Sequence, residues 1–198
     1  MYSALKRYQN CLISLDLGYY NQFKAYVLIH TLLDSFGRIS EVLAIQKSDI
    51  DFEQQCITFT KTKNKKIRIV PISKKTAKLL TELIAENEEE WDTDYVFLTH
   101  HGKPLTSLTW RKHLKEITDK AGIKRRVHSH GFRHAASEIF LRQNGSIRVL
   151  QKILGHQSLE ITQRYSHVLD DTLKTQHAQF SPINLLENQD KRKTKRTT

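Results

Sequence analysis

Apolar side chains recur along this chain at two spacings, and the switch between them marks out its elements. Phe23, Tyr26, Val27, His30, Leu33 and Phe36 recur at helical intervals, which predicts a buried helix running into Gly37-Arg38. Ser40 then reads as the N-cap of a short helix from Glu41 to Gln46 that carries Val42, Leu43 and Ile45. From Cys56 to Ile72 the spacing changes to alternation. Ile57 and Phe59, then Ile67, Ile69 and Val70, predict a β-hairpin around a cationic turn, Thr62 to Lys66. Helical spacing resumes at Lys74 to Asn87, where Ala77, Leu80 and Ile84 form one row with Leu79 and Leu83 beside it. Tyr95 to Leu98 reads as extended, and His101-Gly102-Lys103-Pro104 as a turn. Three more helices follow: Ser107 to Ala121 with Gly122 as its stop, Phe132 to Gln143, and Ser146 to Leu154 ending at Gly155. Ser158 can cap a further short helix that carries Tyr165. The pattern is that of a mainly α protein with a small antiparallel β-hairpin near its N-terminal third.

Composition narrows this to one globular domain. The 198 residues are 38% hydrophobic and 27% charged, enough for a single well-packed core. Residues 1–20 read as a lead-in or linker remnant and 21–178 as the domain. Residues 179–198 read as a C-terminal segment whose basic end, Asn188 to Thr198, has too little apolar content to fold alone. The formal net charge of +11 favours a polyanionic partner. Cys11 and Cys56 are too few for a disulfide framework, and no cationic-then-apolar leader opens the chain, so a cytoplasmic setting is expected. The longest apolar run, near Ala25 to Leu33, is interrupted by His30 and Thr31 and falls short of the roughly 18 to 20 residues of a membrane span.

Single residues carry ordinary explanations. Arg38 alone is a surface or salt-bridged arginine, Tyr165 a packed aromatic, and His156, just after a helix-ending glycine, a capping group. Arg38 nevertheless sits between an apolar helix and a capped one, where Glu41 three residues on can orient it. His130 and Arg133 are three apart and project to one side of a helical first turn. A tyrosine, two arginines and two histidines in a basic protein suit phosphoryl transfer through a covalent phosphotyrosine. Arginine forks hold the phosphate while the phenol attacks it.

The ordered set Gly37-Arg38-x-x-Glu41, Lys63 on the hairpin turn, His130-x-x-Arg133-His134 and Leu154-Gly155-His156 with Tyr165 resembles the tyrosine recombinase family, also called phage integrases. The resemblance runs from about Phe23 to Val168 and implies the DNA breaking-rejoining catalytic-domain fold. It implies that Arg38 and Arg133 clamp the scissile phosphate, that His130 and His156 are the active-site histidines, that Tyr165 is the nucleophile and that Glu41 supports Arg38. Counting back from Val70-Pro71 as the family motif implies selects Lys63 as the hairpin lysine, with Lys61, Lys65 and Lys66 close by. Many relatives have glycine two positions before the first arginine and an aliphatic residue next to it; here Phe36 and Gly37 exchange that character. Family members also carry an N-terminal helical domain that clamps the far face of DNA, whereas some twenty residues precede the first core helix here.

The implied reaction needs no metal and no cofactor. Attack by Tyr165 leaves a 3′-phosphotyrosyl link that stores the ester energy for religation, with His130 as base and Lys63 as proton donor to the departing 5′-oxygen. The implied partners are double-stranded DNA, further copies of the chain in a tetramer, and accessory DNA-bending or directionality proteins, in a bacterium, phage or mobile element. Lys61, Lys65, Lys66, Lys124, Arg125 and Arg126, with Lys6, Arg7, Arg111 and Lys112, are candidate phosphate contacts. Phe180, Ile183, Leu185 and Leu186 could dock on a neighbouring copy or on their own domain. The competing classes are a type IB topoisomerase, a DNA-binding module without catalysis, and a zinc enzyme using His130 and His134. The last lacks a carboxylate base between the histidines, and Arg133 would repel a cation.

Overall fold

The computed structural model of the chain describes residues 3–60 and 67–155. The positions of Lys61, Lys63, Lys65, Lys66, His156 and Tyr165, the helix expected after Ser158, and the C-terminal segment lie outside the described residues. The elements are α1 (Ser3–Ile13), α2 (Tyr20–Asp34), α3 (Ile39–Val42), β1 (Ile50–Asp51), β2 (Cys56–Phe59), β3 (Arg68–Pro71), α4 (Lys74–Glu90), α5 (Ser107–Lys120), α6 (Ser129–Arg142) and α7 (Ile147–Leu154). Helices dominate, and the strands form one antiparallel sheet in the order β1-β2-β3.

Helix α2 is the axis of the core. Val27, Leu28, Ile29 and Leu32 are fully buried, and α4 and α6 pack against the helix. Its apolar residues run almost all the way round, as a helix enclosed by others requires. Ser73 caps α4 by accepting from the Thr76 backbone N–H, and Thr106 caps α5 by accepting from that of Thr109. Gly122, with φ +67°, follows α5 as the expected stop, and Gly155, with φ +66°, ends α7 in the left-handed conformation that glycine adopts without Cβ strain. A smaller apolar cluster of Leu141, Leu150 and Leu154 seats α7 on α6, with Phe36, Phe140 and Ile147 packed around it. At about 1.5–3 kcal/mol per buried leucine, this cluster sets where Gly155 lies.

Several expectations need correction. The helix after Gly37 spans Ile39–Val42 rather than Glu41 to Gln46, and its N-cap is Arg38, not Ser40. The reason is Glu41, whose carboxylate takes the Arg38 backbone N–H at 2.8 Å and so satisfies the helix start from within the first turn. Ile67, just before β3, and Ile69 within it are 68% and 65% exposed, while Arg68 and Val70 share the inner face of the strand. Pairing of Ile57 with Val70 and of Phe59 with Arg68 fixes that register. Strand β1 and helix α1 were not foreseen. Helix α1 buries Tyr8 and Cys11, and the Tyr8 ring stands 4.4 Å from that of Phe132 in α6.

Candidate DNA-cleavage site

Three stretches of chain converge on Arg133. It is 3% exposed, and its guanidinium donates from Nη1 to the Phe36 carbonyl and from Nη2 to the Leu154 carbonyl, both at 2.7 Å. Phe36 lies two residues before Arg38, and Leu154 two before His156. One buried side chain on α6 therefore ties together the segments that carry the other arginine and the second histidine. The Leu154 carbonyl is at the end of α7, where carbonyls lack intrahelical partners, and the Phe36 carbonyl lies two residues past α2, so a cation there suits both hydrogen bonds and the α7 dipole.

Arg38 is held differently. Its Nη1 donates to Glu41 Oε1 at 3.0 Å, and its side chain remains 32% exposed. Glu41 is 3% exposed and accepts four hydrogen bonds, two on each oxygen. Oε1 receives Arg38 Nη1 and Arg68 Nη1, both at 3.0 Å; Oε2 receives the Arg38 backbone N–H and Arg68 Nη2, both at 2.8 Å. Burial alone would raise the Glu41 pKa, but the hydrogen bonds and charges of Arg68 and Arg38 outweigh it and pull the carboxyl down to about 2. Glu41 is thus ionised at any working pH and keeps the Arg38 guanidinium oriented.

Backbone shape supports this arrangement. Phe36 has φ +53°, a left-handed conformation that favours glycine, and it occupies the position where relatives were expected to have one. Its ring meets Phe140 edge-on at 5.8 Å. At Gly37 a Cβ would come within 2.5 Å of Val42 Cγ2, so the glycine follows from the tight turn back onto α3.

His130 lies in the first turn of α6 and is exposed, with its ring edge-on to His134 at 4.4 Å. The structure thus brings Arg38, Glu41, His130 and Arg133 onto neighbouring elements. Lys124, Arg125 and Arg126 are exposed in the loop that leads into α6. Among the described residues, no three His, Cys, Asp or Glu side chains are grouped so as to hold a metal ion, and no helix is long and apolar enough to cross a membrane. Sequence reading missed Arg68. The available signal was its period-two relation to Val70, which puts both on one strand face.

The arrangement of helices and sheet is that of tyrosine recombinase catalytic domains. The crystal structure of XerA recombinase superposes with a TM-score of 0.76 at 26% identity, covering 92% of this chain and 65% of that one. The catalytic domain of bacteriophage HP1 integrase gives 0.65 at 24% identity over 90% and 94%, a likeness of fold. The phage integrase family profile matches residues 16–172, and the chain belongs to that family. It is 35% identical over 166 residues to transposase B of transposon Tn554 from Staphylococcus aureus strain Mu50, covering 77% of this chain and 26% of the relative. To the tyrosine recombinase XerC of Listeria welshimeri it is 32% identical over 161 residues, covering 79% and 53%. The chain thus spans about a quarter of the transposase and about half of XerC.

Proposed function

We propose that the chain is the catalytic part of a site-specific DNA recombinase or integrase that cleaves and rejoins strands through a 3′-phosphotyrosyl intermediate. The observation that carries this reading is Arg133, whose guanidinium bonds the carbonyls two residues before Arg38 and two before His156. Arg38 and Arg133 clamp the nonbridging oxygens of the scissile phosphate, where negative charge rises in the transition state. His130 takes the Tyr165 proton, His156 donates to the phosphate, and Lys63 protonates the leaving 5′-oxygen. Glu41 orients Arg38.

Double-stranded DNA is the partner, met through the exposed Lys124, Arg125 and Arg126 and the hairpin residues Lys61, Lys65 and Lys66. The net charge of +11 supports this, as do two structural neighbours solved with DNA, XerH bound to difH substrate and the Tn1549 integrase in complex with circular intermediate DNA. Copies assemble as a tetramer on DNA, with accessory DNA-bending or directionality proteins, in the cytoplasm of a bacterium. An apolar groove of about 640 Å³, lined among the described residues by His30, Leu33, Phe36, Ile139, Phe140 and Ile153, offers a seat for the Phe180 to Leu186 segment, either of a neighbouring copy or of the same chain.

The test uses a pool of nicked duplexes with randomised sequence around the nick, resolved by denaturing electrophoresis. The wild-type chain traps a covalent adduct, whereas Tyr165→Phe forms none and still shifts the pool in a native gel. An adduct that survives in Tyr165→Phe removes Tyr165 from its role. Exchange between two trapped sites, as opposed to relaxation of one supercoiled circle, separates recombinase from topoisomerase.

A further inference from the structure

Arg68 stands in a place where a strand would ordinarily carry an aliphatic residue. It shares the inner face of β3 with the fully buried Val70, and its side chain is 9% exposed. Its guanidinium makes a two-pronged contact with Glu41, at 3.0 and 2.8 Å, while its carbon centre lies 4.4 Å from the centroid of the Phe59 ring. Phe59 and Arg68 are directly paired across β2 and β3, the last pair of that register. On its other side the stem passes under Gly155, where an added Cβ would sit 3.1 Å from Arg68 Cδ. Arg68 therefore meets the carboxylate that orients Arg38, the end of β2 at Phe59 and the residue just before His156 in sequence.

A purely stabilising role explains this poorly. A buried ion pair rarely outperforms well-packed apolar side chains of the same volume, because both charges must be stripped of water. Among the described residues the buried Arg68 Nε also has no hydrogen-bond partner, a further desolvation cost. What an aliphatic residue could not supply is a rigid planar fork that fixes both oxygens of Glu41 at once. With Oε1 and Oε2 both pinned, Glu41 presents one geometry to Arg38 Nη1 and to the Arg38 backbone N–H.

We propose that Arg68 is a positioning residue of the cleavage site, acting through Glu41 to set the Arg38 guanidinium and holding the Gly155 turn in register with it. The proposal rests on the reading of the chain as a DNA-cleaving recombinase and deepens it. Arg68 does not touch DNA; its effect on chemistry passes through Arg38.

The experiment measures adduct formation on the same nicked-duplex pool, native-gel binding and thermal melting for the full chain and for Arg68→Gln, Arg68→Lys, Arg38→Lys and the Arg68→Gln/Arg38→Lys pair. Arg68→Gln lowers the adduct rate about a hundredfold, the scale of a lost preorganised donor, while binding stays within about threefold because the phosphate contacts are intact. Arg68→Lys, which keeps the charge but not the fork, recovers part of the rate. In the Arg38→Lys background Arg68→Gln has little further effect, as expected of two residues acting in series. Independent, multiplicative losses would overturn the proposal, as would a wild-type rate in Arg68→Gln. Unfolding of both Arg68 variants would assign the residue to stability alone and overturn it too. Failure of the wild-type chain to form any adduct would instead overturn the recombinase reading, and this inference with it.

Discussion

Arg38 and Arg133 are proposed to do the same thing to a phosphate, yet the protein seats them by opposite means. Arg133 is buried and bonded to two backbone carbonyls, one at the end of α7 and one just past α2, so it is a structural clasp between α2, α6 and α7. Arg38 is a third exposed and is held by one buried carboxylate that a second arginine already grips. A carbonyl clasp cannot change its charge and holds three segments at once. A carboxylate support can be removed by protonation or by substitution without opening the core around α6. The first seat therefore couples chemistry to folding, and the second lets the two be separated.

The largest effect that would break this contrast is on stability at Arg133. Arg133→Ala leaves the Phe36 and Leu154 carbonyls without their clasp in a buried setting, at a cost of about 3–5 kcal/mol. For a domain of this size the melting temperature falls by about 10 °C or more. Arg38→Ala leaves Glu41 paired with Arg68 and costs about 1 kcal/mol, while adduct formation drops at least about a hundredfold. Calorimetry beside the adduct assay checks both. Equal melting temperatures for the two variants would erase the distinction.

A smaller effect appears at Glu41, where pH reaches one seat and not the other. Its carboxyl is held at about 2 against an ordinary value of 4.5. The lowered value means that the support is fully present above about pH 4.5 and is lost as pH falls towards 2, removing roughly 3 kcal/mol of stability. Glu41→Gln starts less stable at neutral pH and loses that much less on acidification. The measurement is urea unfolding of both proteins at several pH values between neutrality and pH 2, with about two thirds of the loss complete by pH 3. Parallel acid profiles would show that Glu41 is not the group responsible.

How much of this was legible in the sequence follows from what each feature depends on. Arg38 and Glu41 were readable because a spacing of three in a capped helix start is local information. Helices α2, α4, α5, α6 and α7 were readable from apolar periodicity, and the terminators Gly122 and Gly155 from their composition. Arg68 was hidden within a run of cationic residues, and the neighbouring Ile67 and Ile69 suggested the wrong inner face. Only cross-strand pairing to Phe59 and a carboxylate far away in sequence bring it inward, and neither is local. Helix α1 carries the spacing Tyr8, Cys11 and Leu12, continued by Leu15 just beyond its end, but its meaning depends on a distant surface. Tyr8 meets Phe132, and its hydroxyl lies 2.8 Å from where a Cβ on Gly131 would stand, directly beside His130.

The smallest expected effect concerns the joint between the two seats. Phe36 contributes its carbonyl to Arg133 while its own backbone, at φ +53°, turns the chain towards Arg38. Two terms oppose each other there. The left-handed backbone costs a side-chain-bearing residue about 1 kcal/mol relative to glycine, whereas the ring contributes through its contact with Phe140 and the small α6–α7 cluster. Truncation to alanine keeps the strain and loses the ring, so Phe36→Ala should melt lower by about 2–6 °C. Phe36→Gly loses the same ring but releases the strain, and it should melt above Phe36→Ala by about 2–4 °C, the reverse of the order found at ordinary positions, where glycine is the worse choice. An alanine variant at least as stable as the glycine variant would mean that the turn relaxes when the ring is removed. The left-handed backbone would then be a consequence of aromatic packing, and the geometry that joins Arg133 to Arg38 would be set from the α6 side alone.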